Sequence, residues 1–119
     1  MPDILYRDHL LDHYHFPRNY GLRGGFDVEA KAANPLCGDS LTVRLKIESG
    51  RVSDFCFESE GCVISRAAAS LFSEYIKGKH MAEVKTINPE NVLGLLGVGI
   101  MPARLKCALL PLEAVKKAV

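Results

Sequence analysis

The strongest constraint on the fold is an alternation in which Leu41, Val43, Leu45 and Ile47 take turns with Thr42, Arg44, Lys46 and Glu48. Successive strand side chains point to opposite faces, so this pattern describes a strand with one buried and one solvated side. Ser49 and Gly50 supply a turn, and the spacing predicts an antiparallel return over 51–59. A short strand over 27–33 is expected upstream. Beyond residue 62 the period becomes helical: VISRAAASLFSEYIK, residues 63–77, is rich in alanine and is followed by Gly78, a residue suited to ending helices. An amphipathic first helix is expected over 3–15, with Ile4, Leu5, Leu10, Leu11 and Tyr14 on its apolar side and Pro17 closing it. Asn88 and Pro89 form a cap and first position for a short helix, and Pro102 starts a last one. Strands come first and helices follow, which is an α+β layout: an antiparallel sheet of about three strands with helices packed on one side.

With 119 residues the chain is expected to form one domain over 1–119. Its formal charge of +1 speaks against a nucleic-acid or anionic-membrane surface, either of which needs a basic excess. The opening MPDILYRDHL mixes charges into its apolar positions and has no signal-peptide pattern. No apolar run approaches the roughly 18 residues that would span a bilayer. A cytoplasmic, reducing location is the expectation, and there the four cysteines are thiols or metal ligands in preference to disulfides.

Cys37 lies in the loop Asn34-Pro35-Leu36-Cys37-Gly38-Asp39, immediately before the strongest strand. Pro35 restricts Asn34 to extended geometry and Gly38 permits a tight turn, so Cys37 and Asp39 are held close together. Cys62 precedes a helix, whose N-terminal partial charge favours thiolate over thiol. Cys107 falls in the first turns of the last helix, after Arg104 and Lys106. Three cysteines and a carboxylate make the four donors of a tetrahedral zinc site, and soft thiolates suit a [2Fe–2S] cluster equally. There is no C-x-x-C pair, so spacing alone is equally compatible with a shared site and with three unrelated buried thiols. Cys56, between Phe55 and Phe57, reads as a small core residue.

These residues carry a resemblance. LYRDHLLDHYHFPRNYG at the start, NPLCGD at Cys37, EGCVIS at Cys62 and PARLKC at Cys107 resemble, in the same order, the U-type iron–sulfur scaffold family of IscU, SufU and the NifU N-terminal domain. The resemblance covers nearly the whole chain. It implies a fold of about three antiparallel strands with helices on one side, and metal ligation by Cys37, Asp39, Cys62 and Cys107. It further implies a zinc ion or a transient [2Fe–2S] cluster, and Cys107 as acceptor of persulfide sulfur from a cysteine desulfurase. IscU proteins have a histidine where this chain has Lys106, a substitution that looks like SufU, yet the insertion typical of SufU between the second and third cysteines is missing. Lys106 is accordingly expected as a cation beside the metal site. The chaperone motif of IscU is imperfect here, reading Ile100-Met101-Pro102-Ala103-Arg104, so the resemblance does not extend to Hsp70-type chaperone binding.

Two functions follow. One is an assembly scaffold that builds a labile cluster and passes it to apo-proteins or carriers; the other is a zinc-bound sulfur acceptor serving a SufS-like desulfurase. Neither is an enzyme with its own small-molecule substrate, except in so far as persulfide transfer counts as sulfurtransferase activity. A thiol enzyme lacks a base, because the histidines lie outside the cysteine motifs. His9, His13 and His15 are expected in solvated or helix-packing roles, His80 at the surface, and Arg18 and Asn19 as ties between the first helix and the body. The glycines of VLGLLGVGIM lack a phosphate-loop context, and a loose segment leading to Cys107 is expected there.

Overall fold

The computed structural model describes residues 3–35, 38–61, 63–97 and 104–119, with side chains from residue 8 onward. Cys37, Cys62, Gly99 and Pro102 lie outside the described residues. Helix α1 (Asp3–His15) is followed by strands β1 (Val28–Asn34), β2 (Asp39–Glu48) and β3 (Arg51–Glu60). Four helices complete the order: α2 (Val63–Ile76), α3 (Met81–Lys85), α4 (Pro89–Leu96) and α5 (Leu105–Ala118). The three strands form one antiparallel sheet in the order β1-β2-β3. The β2–β3 hairpin closes through Ser49 and Gly50 with φ of 53° and 76°. Two successive left-handed residues twist in the sense of the strands they join, which is why so short a loop suffices.

The predicted alternation sets one face of the sheet. Leu41, Val43 and Leu45 are buried, facing register partners Ala32 and Ser59, Ala30 and Phe57, and Val28 and Phe55. Ile47 departs from the pattern: it is half-buried, because the β2–β3 pairing slips between Lys46 and Ile47 and the alternation is interrupted there. Helix α2 lies between the sheet and α1. Its Ala69, Phe72 and Ile76 pack into the sheet core, while Ala67, Ala68 and Leu71 pack with Leu10 of α1, Leu96 of α4 and Ala108 of α5. Alanine at so many α2 positions lets neighbouring helices approach on both sides.

Helix α1 is less amphipathic than its sequence promised. Leu10 is buried, but Leu11 is 37% exposed, and its place on the packed side is taken by His13. His13 Nδ1 lies 2.7 Å from Ser70 Oγ, and the Arg18 backbone N–H donates to the same oxygen at 2.8 Å. Asn19 donates to Ser73 Oγ and accepts from Lys77 Nζ. The Arg66 guanidinium stacks over Tyr14 and Tyr20 at 5.5 and 4.4 Å. Arg18 and Asn19 thus tie the first helix to α2, as their positions suggested. The chain then runs beside β3, where Asn19 and Gly21 bond Phe57. Gly94, expected in a loose segment, is inside α4, which Asn88 and Asn91 cap reciprocally. His80 is exposed and caps α3.

Candidate metal centre

Period-two geometry carries the inward rows of all three strands to one end of the sheet, where they change character. On β1 the row is Val28, Ala30, Ala32 and then Asn34; on β2 it is Leu45, Val43, Leu41 and then Asp39. On β3 the row Phe55, Phe57, Ser59 continues to Gly61, just past the strand. The same alternation that buries the core therefore points Asn34 and Asp39 toward the helices, 4% and 2% exposed. Such polar side chains are buried at a cost unless something there uses them.

Three observations define this end. Asn34 and Asp39 are register partners, and the Gly38 N–H donates to the Asn34 carbonyl at 2.9 Å, closing the turn that carries Cys37. Gly61 packs against Asp39 so closely that a Cβ on it would stand 2.1 Å from Asp39 Oδ1 and 2.8 Å from its Cα. The residue preceding Cys62 is thereby held against the predicted carboxylate ligand. Finally, Cys107 in α5 is fully buried, and Asn34 Nδ2 donates to its Sγ at 3.7 Å. Helix α5 lies against β1 and β2, which brings a thiol from residue 107 to a loop end formed near residue 34. Pro111 sits inside α5. It has no N–H to give to the carbonyl four residues back, so the turn carrying Cys107 lacks one helical rung.

Of the predicted ligands, then, Asp39 and Cys107 are described and buried at this end, and Cys37 and Cys62 are outside the described residues. Among the described residues no three metal-donor side chains come together. Lys106 is exposed and lines an open pocket of about 390 Å³, whose walls include Asn34, Pro35, Leu109, Leu110 and Glu113. Cys56 is fully buried in β3, away from this end. In the sequence Asn34 stands out only for the restraint Pro35 imposes on it. Its polar side chain at the last inward position of β1 was the available signal.

His13 belongs to a different region. Burial disfavours its charged form and holds its pKa below the usual 6.5, aided by Arg18 and His9 and opposed by Glu74 and Asp12. The predicted helix-packing role for this histidine is what the structure contains, while His9 is exposed.

Residues 5–119 match the family model of the NifU-like N-terminal domain. The chain is 36% identical to the zinc-dependent sulfurtransferase SufU of Bacillus subtilis, covering 98% of this chain and 90% of the relative. It is 32% identical to the iron–sulfur cluster assembly scaffold protein IscU 1 of Archaeoglobus fulgidus, covering 97% and 74%. The SufU alignment spans 134 positions, more than the 119 residues here, so SufU has residues without a counterpart; the IscU alignment spans 115. The crystal structure of FiSufU from Fervidobacterium islandicum superposes with a TM-score of 0.81 over 99% of this chain and 98% of that one. At 24% identity it shares the fold alone. Among the described residues no helix is long and apolar enough to cross a membrane.

Proposed function

The chain belongs to the family of NifU-like N-terminal domains, and from that membership we propose that it is an iron–sulfur cluster assembly scaffold. It accepts sulfur from a cysteine desulfurase, assembles a labile [2Fe–2S] cluster as cargo on Cys37, Asp39, Cys62 and Cys107, and passes it to apo-proteins or carriers. The observation that carries this reading is Asp39, a carboxylate buried in the sheet's inward row against Gly61, at the end where Asn34 touches Cys107. A carboxylate and a thiol buried at the same end of the sheet, beside the two cysteine segments, are donor types that suit a zinc ion or an iron–sulfur cluster.

The residues perform the transfer as follows. The Cys107 thiolate attacks the terminal sulfur of the desulfurase persulfide. A new S–S bond forms on Cys107, the old S–S bond breaks, and the desulfurase cysteine leaves as thiolate. No external electrons are needed. Lys106, adjacent to Cys107 and on the wall of the pocket beside Asn34, supplies a cation near these anions. Replacing one thiolate with the Asp39 carboxylate makes the cluster site less firmly held, which suits release.

A second reading is a zinc-bound sulfur acceptor, in which zinc holds the thiolates until Cys107 is loaded. The 36% identity to a zinc-dependent sulfurtransferase favours it, as does lysine at position 106. One experiment separates the two: metal and acid-labile sulfide content after anaerobic purification, for wild type, Cys37→Ser, Cys62→Ser and Cys107→Ser. Iron with matching sulfide, lost in each variant, supports the scaffold. Zinc without sulfide, with no transferable cluster after iron and sulfide are supplied, supports the acceptor. Metal content indifferent to all three changes overturns the shared site.

A further inference from the structure

Granted that Cys107 is a metal ligand, on which this rests, we infer that Asn34 is a positioning residue whose side-chain amide holds the Cys107 sulfur in place. Its main chain and side chain act on different parts of the site. The Asn34 carbonyl accepts the Gly38 N–H and so closes the Cys37 loop, while Nδ2 reaches Cys107 Sγ across 73 residues of sequence at 3.7 Å. Asn34 thus links the loop bearing one predicted ligand to the helix bearing another. Its Oδ1 is buried and has no hydrogen-bond partner among the described residues, so Cys107 is the contact that orients this amide.

The chemistry of an amide suits both states of the cysteine. A thiolate, whether bound to metal or extended by a second sulfur, can only accept, and Nδ2–H donates to it. A thiol can donate, and the amide, turned over, presents Oδ1 as acceptor. An asparagine can therefore stay engaged with Cys107 through loading and release. An apolar side chain of the same size could do neither. Donors to a coordinated sulfur fix its direction and draw off part of its charge, and loss of such a partner typically weakens metal binding about 10–100-fold.

The test uses Asn34→Leu, similar in volume but without hydrogen-bonding atoms, with Cys107→Ser as control, each loaded with Co²⁺. The sulfur-to-cobalt charge-transfer band of Asn34→Leu should move to lower energy than in wild type. Zinc affinity should fall about 10–100-fold while the metal-free fold keeps its thermal midpoint. A band and affinity equal to wild type, with the band altered in Cys107→Ser, overturns the role of Asn34 and leaves the metal site standing. A band unchanged in Cys107→Ser removes the ligand itself, and both readings fall. A second measurement needs no substitution. In wild type loaded with ¹¹³Cd, the Asn34 side-chain amide proton should shift and show coupling to cadmium through the sulfur; an assigned amide that does neither overturns the inference.

Discussion

Gly61→Ala probes the tightest contact at the candidate centre. Two costs add at this position. The backbone has φ of +119°, where a side chain is strained, at about 1–3 kcal/mol. The new Cβ would also lie 2.1 Å from Asp39 Oδ1 and 2.8 Å from its Cα. Rotation of the carboxylate relieves the first clash, but the second is with the main chain of β2, so one strand end must move. Overpacking of that kind adds about 1–3 kcal/mol. The expected loss is therefore about 2–6 kcal/mol, a large part of the 5–15 kcal/mol typical of a domain. Gly38→Ala separates the two costs: its φ is +73° but its Cβ would meet nothing within 4 Å among the described residues, so only about 1–2 kcal/mol of backbone strain is expected. Urea denaturation of the metal-free proteins, extrapolated linearly to water, measures both. Zinc competition on the same samples should show Gly61→Ala binding more weakly, because Asp39 is displaced. If Gly61→Ala proves no less stable than Gly38→Ala and binds zinc as wild type does, the close approach of residue 61 to Asp39 is refuted.

Lowering the pH should weaken the docking of α1 on α2. The folded state binds a proton at His13 less readily than the unfolded chain does, so stability falls as pH drops below 6.5 and levels off beneath the depressed folded value. Denaturation at stepped pH should show this slope in wild type and a shallower one in His13→Gln. Ser70→Ala removes the oxygen shared by His13 and the Arg18 N–H, and should cost about 1–3 kcal/mol by the same assay. Phe72→Ala empties a fully buried site whose ring lies against Phe55, and should cost about 3–5 kcal/mol in urea. Cys56→Ala should leave metal content unchanged, measured by elemental analysis; metal loss there would contradict its assignment to the core.

The elements of this fold were legible because each is a local matter. Alternation at 41–47, helical periodicity at 63–77 and the Asn88-Pro89 cap are written in neighbouring residues, and the structure follows them closely. Departures occurred where a partner intervened. The slip in β2–β3 pairing took Ile47 out of the buried row, and His13 displaced Leu11 from the packed side of α1 because Ser70 offered it a hydrogen bond. The family was legible as well, through the ordered set of motifs around Cys37, Cys62 and Cys107.

What the sequence by itself determined is the set of local patterns: which face of the 41–47 strand is apolar, where the helical period begins, and which segments carry the cysteine motifs. Only the tertiary structure decided which of those segments meet. Residues 34 and 107, or 39 and 61, become neighbours only once α5 lies against β1 and β3 pairs with β2. Contacts between distant segments depend on strand register and on the packing of helices onto the sheet. A one-residue slip of β1 or β2 would turn Asn34 or Asp39 to solvent, so the site exists only in the register that buries the core.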